Sequence, residues 1–274
     1  MSVESNLKKL FSLEDKIVVL TGAAGGIGAA LSKGMAGAGA VICNCDISEK
    51  GLAVLADEIA AEGGQARSYV MDVVKRDSIQ AAVDAILGEF GRIDVLVNVA
   101  GINKREGLMD VTEETYDRIM DINLKSVFFV TQAVAPAMMK AHGGSIINIG
   151  SHNATAMLGG CSVYGATKSG VVALTRSMAV EWAEWGIRAN AISPGHILTP
   201  LTQVTWDHPT RGDYLRDRIA MRRPGHPEEL LGITVLLASD ASSYMSGCNY
   251  VVDGGCLCGG MPWDYDSAYH NTQQ

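Results

Sequence analysis

Tyr164 and Lys168 stand four residues apart. On a helix that spacing puts a phenol and an ammonium on the same face. An ammonium beside a phenol favours the phenolate and draws its pKa from about 10 towards neutrality. A tyrosine so placed is a usable proton donor and acceptor. Ser151 lies just past the run Ile146-Ile147-Asn148-Ile149, which reads as a buried strand. A hydroxyl at the carboxyl end of a strand can point into the crevice where open α/β sheets bind ligands. A half-buried tyrosine preceding a solvated lysine has the same spacing, so the surrounding elements decide which reading holds.

Those elements begin with Lys16 to Leu20, a β-branched run read as a strand. It leads into Thr21-Gly22-Ala23-Ala24-Gly25-Gly26-Ile27-Gly28 and then an Ala-rich helical stretch to Ala38. Strand, glycine turn and helix in that order make a pyrophosphate cradle: glycines admit the phosphates closely, and the helix start offers free N–H groups. A second strand, Ala40 to Cys45, ends at Asp46. An acid about 20 residues beyond the turn can bond the adenosine ribose hydroxyls and would repel a 2′-phosphate. No Arg or Lys occupies Ala23, Ala24 or the stretch 41–49, so NAD is expected over NADP. An ordinary helix-entry aspartate is the competing reading.

Strands and helices then alternate. Strands are expected over 65–71, ending in Asp72-Val73, over 93–97, ending in Asn98-Val99-Ala100-Gly101, and over 145–150, 187–192 and 249–252. Helices are expected over 49–62, 76–90, 112–142, 162–185 and 228–239. This pattern predicts an α/β fold: one Rossmann-type, doubly wound parallel sheet of about seven strands with helices on both faces. A single domain is expected over 1–274. From about 194 to 226 prolines break the pattern, and His196, Trp206, His208 and several arginines crowd it. A long irregular insertion beside the crevice reads as a substrate lid with short helices. The extension at about 256–274 carries Trp263, Tyr265 and Tyr269; docking on a neighbouring subunit, closure over a site and a frayed tail are its three readings.

The net charge of -8 and the absence of a basic cluster exclude nucleic acid and anionic membrane surfaces as expected partners. No apolar run approaches 18 residues and no signal segment is visible, so a cytoplasmic protein is expected. Six cysteines in this length are no disulfide framework. The pairs Cys43/Cys45 and Cys256/Cys258 could suggest a metal site. Cys43 and Cys45 fit strand packing better, and no metal is expected.

Taken together, Thr21-Gly22-x-x-x-Gly26-x-Gly28, Asn98-x-Ala100-Gly101, Asn123, Ser151, Tyr164-x-x-x-Lys168 and Pro194-Gly195 match the order and spacing of the short-chain dehydrogenases/reductases, over roughly residues 13 to 255. One departure is visible: Val99 stands where the family usually has a second Asn. The resemblance implies an oxidoreductase that moves a hydride between a nicotinamide and a secondary alcohol or ketone. Tyr164 would be the general acid/base, Lys168 would lower its pKa and hold the nicotinamide ribose, and Ser151 would polarise the substrate oxygen. Asn123 would anchor a water linking Lys168 to solvent. Gly22, Gly26, Ile27 and Gly28 would cradle the cofactor, with Asp46 on the adenine ribose and Asp72 and Val73 flanking the adenine. Asn98, Ala100 and Gly101 would line its path, and Pro194, Gly195, Ile197 and Thr199 would meet the carboxamide end. The family also implies a homotetramer or homodimer built on the helices that carry Asn123 and Tyr164.

The small-molecule substrate is read from variable positions. Lys104 and Arg105 could meet an anionic group, or form a solvated loop pair. That stretch resembles the sugar-acid dehydrogenases of the family (gluconate 5-dehydrogenase and the ketodeoxygluconate enzymes). His152, Asn153 and His196 offer polar contacts suited to a polyhydroxylated molecule, while Met157 and Trp206 could form an apolar wall. A sugar, sugar acid or polyol is the first expectation. A hydrophobic or cyclic ketone is the second, and a non-catalytic NAD-binding regulator is the alternative of another class.

Overall fold

The computed structural model describes residues 3–259, so Trp263, Tyr265 and Tyr269 lie outside the described residues. Seven strands form one parallel sheet in the order β3-β2-β1-β4-β5-β6-β7. They are β1 (Ile17–Thr21), β2 (Val41–Asp46), β3 (Gln65–Val70), β4 (Val95–Asn98), β5 (Gly144–Ile149), β6 (Ile187–Pro194) and β7 (Asn249–Val252). The chain starts at the centre and winds outward first one way and then the other. The order therefore reverses between β1 and β4, which opens a crevice at their carboxyl ends.

Alternation along the strands sorts the side chains into two cores. Val18 and Leu20 of β1 face one side, where α2 (Gly26–Gly37) brings Leu31 and Met35, α3 (Glu49–Ala61) brings Leu52 and Leu55, and α10 (Leu231–Ala238) brings Leu237. Ile17 and Val19 face the other side, against α4 (Arg76–Phe90), α6 (Ser126–Ala141) and α7 (Ser162–Glu181). Such two-sided burial is why the strands read as nearly continuous apolar runs. Cys43 and Cys45 are buried in the second core and pack as small apolar side chains; all six cysteines are free.

The helix expected over 112–142 is one run of three parts. α5 (Glu113–Met120) passes through a π turn at Asp121–Lys125 into α6. By length and composition alone Glu113–Ala141 is apolar enough to cross a membrane. Here it lays Val127, Val130, Val134 and Met138 into the core. π turns interrupt helices mainly at functional positions, and this one carries the fully buried Asn123.

Beneath the crevice floor a chain of buried polar groups ties the centre of the sheet to α6 and α7. Asn98 donates to Thr131 (3.1 Å) and to Asn148 Oδ1 (2.9 Å), and Asn148 donates to Thr175 (2.9 Å). Buried amides are tolerated only when paired in this way. The segment 194–226 folds into two short helices, α8 (Gln203–Trp206) and α9 (Pro209–Asp217), above a small cluster of Trp206, Leu215 and Ile219. The helix expected over 228–239 begins as a 3₁₀ turn, Pro227–Leu230.

Candidate active site

β5 ends at Ile149, and Ser151 caps the short 3₁₀ turn His152–Ala154 by accepting from Asn153 N (3.1 Å). Two turns of backbone later α7 starts at Ser162, so Tyr164 and Lys168 occupy its first half and face back over the strand end. The Ser151 hydroxyl and the Tyr164 phenol line the same crevice. Lys168 reaches past the ring and donates to Ile149 O (2.7 Å), with its Nζ 5.7 Å from the Tyr164 ring centroid. Ser151, Tyr164 and Lys168 thus line one crevice.

The electrostatics differ from the sequence expectation in one respect. Burial pushes the Tyr164 phenol above its ordinary value, the neighbouring Ser151 hydroxyl pulls it back, and nearby Cys161 adds to the rise. Burial pushes the Lys168 amine down to about 8, and its proton is shared with a backbone carbonyl. The spacing of four brought the two groups together; the carbonyl decided where the ammonium points.

This gives Lys168 a stability signature. Its unfolded pKa of 10.5 exceeds its folded value of about 8. Between those values the unfolded chain binds a proton that the folded chain does not, so this group makes folding more favourable as pH rises through that window and less favourable as pH falls through it, with no further change below about 8. The stability difference between wild type and Lys168→Met, from denaturant unfolding without dinucleotide, is expected to shift in favour of wild type from about pH 8 to about pH 10.5. A difference that is flat with pH removes the buried amine from the account.

Asn123 does not present a free amide. Its Nδ2 donates to Ile102 O (2.8 Å) and its Oδ1 accepts from Ile102 N (2.8 Å), a two-way clamp on the chain after β4. The Asn98 side chain points into the buried polar chain below the floor, so the crevice edge beyond β4 is formed by Val99 and Gly101. The Thr21 hydroxyl accepts from Val99 N and Ala100 N (3.2 and 3.4 Å) and fixes that edge despite the missing second Asn.

The glycine turn fits a dinucleotide. No side chain caps α2 at Gly25, so its first-turn N–H groups are left for a ligand. At Gly28 a Cβ would come 2.1 Å from Gly22 O, so the turn closes only without one. Asp46, at the end of β2, accepts from Ala24 N (3.0 Å) and Ser48 N (2.9 Å) and so holds the turn beside its carboxylate. Asp72 accepts from Val74 N and pairs with Lys75, while Val73 packs on the second core. Ile27, Pro194, Gly195, Ile197 and Thr199 line the crevice, and Thr199 lies 3.1 Å from the position of a Gly26 Cβ.

The substrate candidates separate. His152, Asn153, His196 and Trp206 line the crevice with Arg105, whose guanidinium donates to Thr205 of α8 (3.3 Å). Asn153 Oδ1 is buried without a partner. Burial holds His152 below its ordinary value; burial, then His152, Arg105 and Arg218, push His196 down to about 3, so both imidazoles are neutral at pH 7. Lys104 is turned away, paired with Glu106 and bonded to Thr115. Met157 is largely exposed over Gly165 of α7 and is no part of the wall. Thr21, which fixes the edge beyond β4, and Asn148, in the buried polar chain, have roles that the sequence expectations do not include. An Asn inside an apolar strand signals a buried hydrogen-bond chain, and that signal was present.

A family model described as enoyl-(acyl carrier protein) reductase matches residues 22–256. The chain is 42% identical over 250 residues to the 2-dehydro-3-deoxy-D-gluconate 5-dehydrogenase of Escherichia coli, covering 90% of this chain and 97% of that one. It is 40% identical over 245 residues to the D-threitol dehydrogenase of Mycolicibacterium smegmatis, covering 89% and 94%. Among solved structures it superposes on a gluconate 5-dehydrogenase from Burkholderia cenocepacia in complex with NADP and tartrate, with a TM-score of 0.89, 37% identity and coverage of 92% and 99%. With the seven-stranded sheet and the match over almost its whole length, the chain belongs to the short-chain dehydrogenases/reductases and is an oxidoreductase acting on CH–OH groups.

Proposed function

We propose that this chain is an NAD-dependent dehydrogenase of a sugar, sugar acid or polyol, with Tyr164 as its general acid/base. The observation that carries the reading is the convergence of Ser151, Tyr164 and Lys168 on one crevice beside the unpartnered Asn153 Oδ1. Hydride transfer is the chemistry that a bound nicotinamide supplies. In the oxidising direction Tyr164 takes the proton of the substrate hydroxyl, and in the reducing direction it returns it. Ser151 orients the same oxygen, and Lys168 holds a proton behind the phenol. Asn153 accepts a neighbouring substrate hydroxyl, and Arg105 is placed to meet a carboxylate. The relatives named for a threitol and for a deoxygluconate substrate support polyhydroxylated compounds. The apolar side chains of Leu158, Leu201 and Trp206 in the same crevice support a second reading, a hydrophobic or cyclic alcohol.

The preference for NAD is our reading and rests on Asp46 and on the absence of Arg or Lys from Ala23, Ala24 and 41–49, although the solved relative carries NADP. A carboxylate facing a 2′-phosphate costs a few kcal/mol, or roughly 100-fold in kcat/KM. Rates with NAD and NADP across sugar acids, polyols and hydrophobic alcohols test both parts. Asp46→Asn, which keeps an acceptor for Ala24 N, is expected to erase most of the discrimination. Equal use of the two cofactors by wild type means that Asp46 does not meet the ribose. Oxidation of hydrophobic alcohols alone keeps the mechanism and discards the polyol.

We also read the chain as a cytoplasmic homotetramer, supported by its six free cysteines and by an apolar groove between α6 and α7 lined by Leu124, Phe128, Phe129 and Leu174. Light scattering is expected to return four chains; a monomer overturns the assembly. The segment 194–226 would be the lid of each subunit.

A further inference from the structure

Three side chains beyond neighbouring strand ends have no part in the proton transfer, and two of them, His152 and His196, line the crevice. His152 follows Ser151 beyond β5, His196 follows Gly195 beyond β6, and Cys256 opens the 3₁₀ turn Cys256–Cys258 beyond β7. Because β5, β6 and β7 are neighbours in the sheet, their carboxyl ends meet in space although the residues are far apart in sequence. One ligand atom from each of the three lies within 4.8 Å of the other two. Gly195 makes the approach possible: a Cβ there would lie 2.6 Å from Asp253 Cα and force the backbone leading to Cys256 away from His196. The two imidazoles stand edge to face with centroids 4.6 Å apart. His152 is 6% exposed, and its Nδ1 is buried with no hydrogen-bond partner.

We propose that His152, His196 and Cys256 form a binding site for a borderline divalent transition-metal ion, with Zn²⁺ as its type. Two imidazole nitrogens and one thiolate are the donors such ions select, whereas Mg²⁺ and Ca²⁺ require oxygen. With Zn–N of about 2.0 Å and Zn–S of about 2.3 Å, tetrahedral ligand atoms lie roughly 3.3–3.5 Å apart. The three groups therefore close on an ion by side-chain rotations of about an ångström. On binding, the Cys256 thiol gives its proton to solvent and the S–metal bond replaces the S–H bond, so one proton is released. The thiolate and the nearby Asp253 carboxylate balance the double charge of the ion; Arg105 and Arg218 oppose it. Asp253 is a fixed charge rather than a ligand, because its oxygens accept from Gly255 N (2.9 Å) and Leu257 N (2.8 Å). Three protein ligands leave a fourth position for water or a substrate oxygen, beside Ser151. The pairing differs from that of the C-x-C motif, since Cys258 is exposed and takes no part.

The test uses the full chain, stripped with a chelator and dialysed against Co²⁺ or Zn²⁺ alone. One ion per chain is expected, and the cobalt form is expected to show tetrahedral d–d absorption with a thiolate-to-cobalt charge-transfer band. Cys256→Ser is expected to lose that band and to bind more than about tenfold more weakly, as is His196→Asn. Cys256→His restores a nitrogen ligand, so it is expected to retain the ion without the charge-transfer band, which separates ligand loss from a failure to fold. Cys258→Ser is expected to behave as wild type. No retained ion in wild type, a band that survives Cys256→Ser, or equal affinity in every variant overturns the site.

Discussion

Tyr164→Phe is expected to lower turnover by roughly 10²–10⁴-fold, the usual contribution of a positioned proton donor, while dinucleotide affinity stays within a few-fold of wild type. The change removes one hydroxyl from a buried ring and leaves its volume nearly intact. Ser151 keeps its bond from Asn153 N, and Lys168 keeps its bond to Ile149 O. The fold and the crevice therefore survive, and the loss falls on kcat. The pH profile supplies a second readout. Because burial holds the phenol protonated, the reducing direction has its acid ready at neutral pH, and the oxidising direction must first lose that proton. Oxidation by wild type is expected to rise with pH into the alkaline range, and that limb is expected to vanish in the variant. Stopped-flow reduction of the dinucleotide, paired with fluorescence titration of its binding, reads both quantities. Full activity in the variant removes Tyr164 from the mechanism.

The sheet was legible because its strands are buried on both faces. Val18 and Leu20 serve one core and Ile17 and Val19 the other, so the run stands out from the amphipathic helices around it. The site was legible where backbone geometry restricts the residue type or where two side chains share a helix face, as at the glycine turn and at Tyr164 and Lys168. It was not legible where the direction of a flexible side chain decides the outcome. Lys104 and Arg105 are adjacent in sequence, yet one pairs with Glu106 outside the crevice and the other reaches Thr205 across it. The π turn at Asn123 has no sequence mark, since Asp121 to Lys125 continues an ordinary helical pattern. Nor does the sequence put His196 beside Cys256, because that contact depends on the order of three strands. Propensity and periodicity act over a few residues. Contacts such as these are fixed by the whole sheet.

Gly28→Ala carries the second large effect, and it falls on binding. Gly28 lies in the first turn of α2 with its Cα against the carbonyl of Gly22. Alanine is the better helix former, so local propensity alone predicts a gain in stability. The contact predicts the reverse, since a methyl group 2.1 Å from Gly22 O cannot be accommodated unless the turn moves. The neighbour is backbone, and Gly22 O already accepts from Gly25 N (3.2 Å), so the shift displaces the N–H groups meant for the phosphates. Losing two charge-assisted hydrogen bonds costs about 3 kcal/mol or more, which corresponds to a rise in dinucleotide Kd of at least about 100-fold. Overpacking adds about 1–3 kcal/mol of destabilisation, little enough to leave a folded chain for calorimetric titration. Tyr164→Phe and Gly28→Ala therefore separate the two halves of the site, one losing turnover with binding kept and the other losing binding with the Ser151–Tyr164 pair intact. Wild-type affinity in Gly28→Ala means that the dinucleotide does not rest on this turn, and the assignment of the crevice between β1 and β4 falls with it.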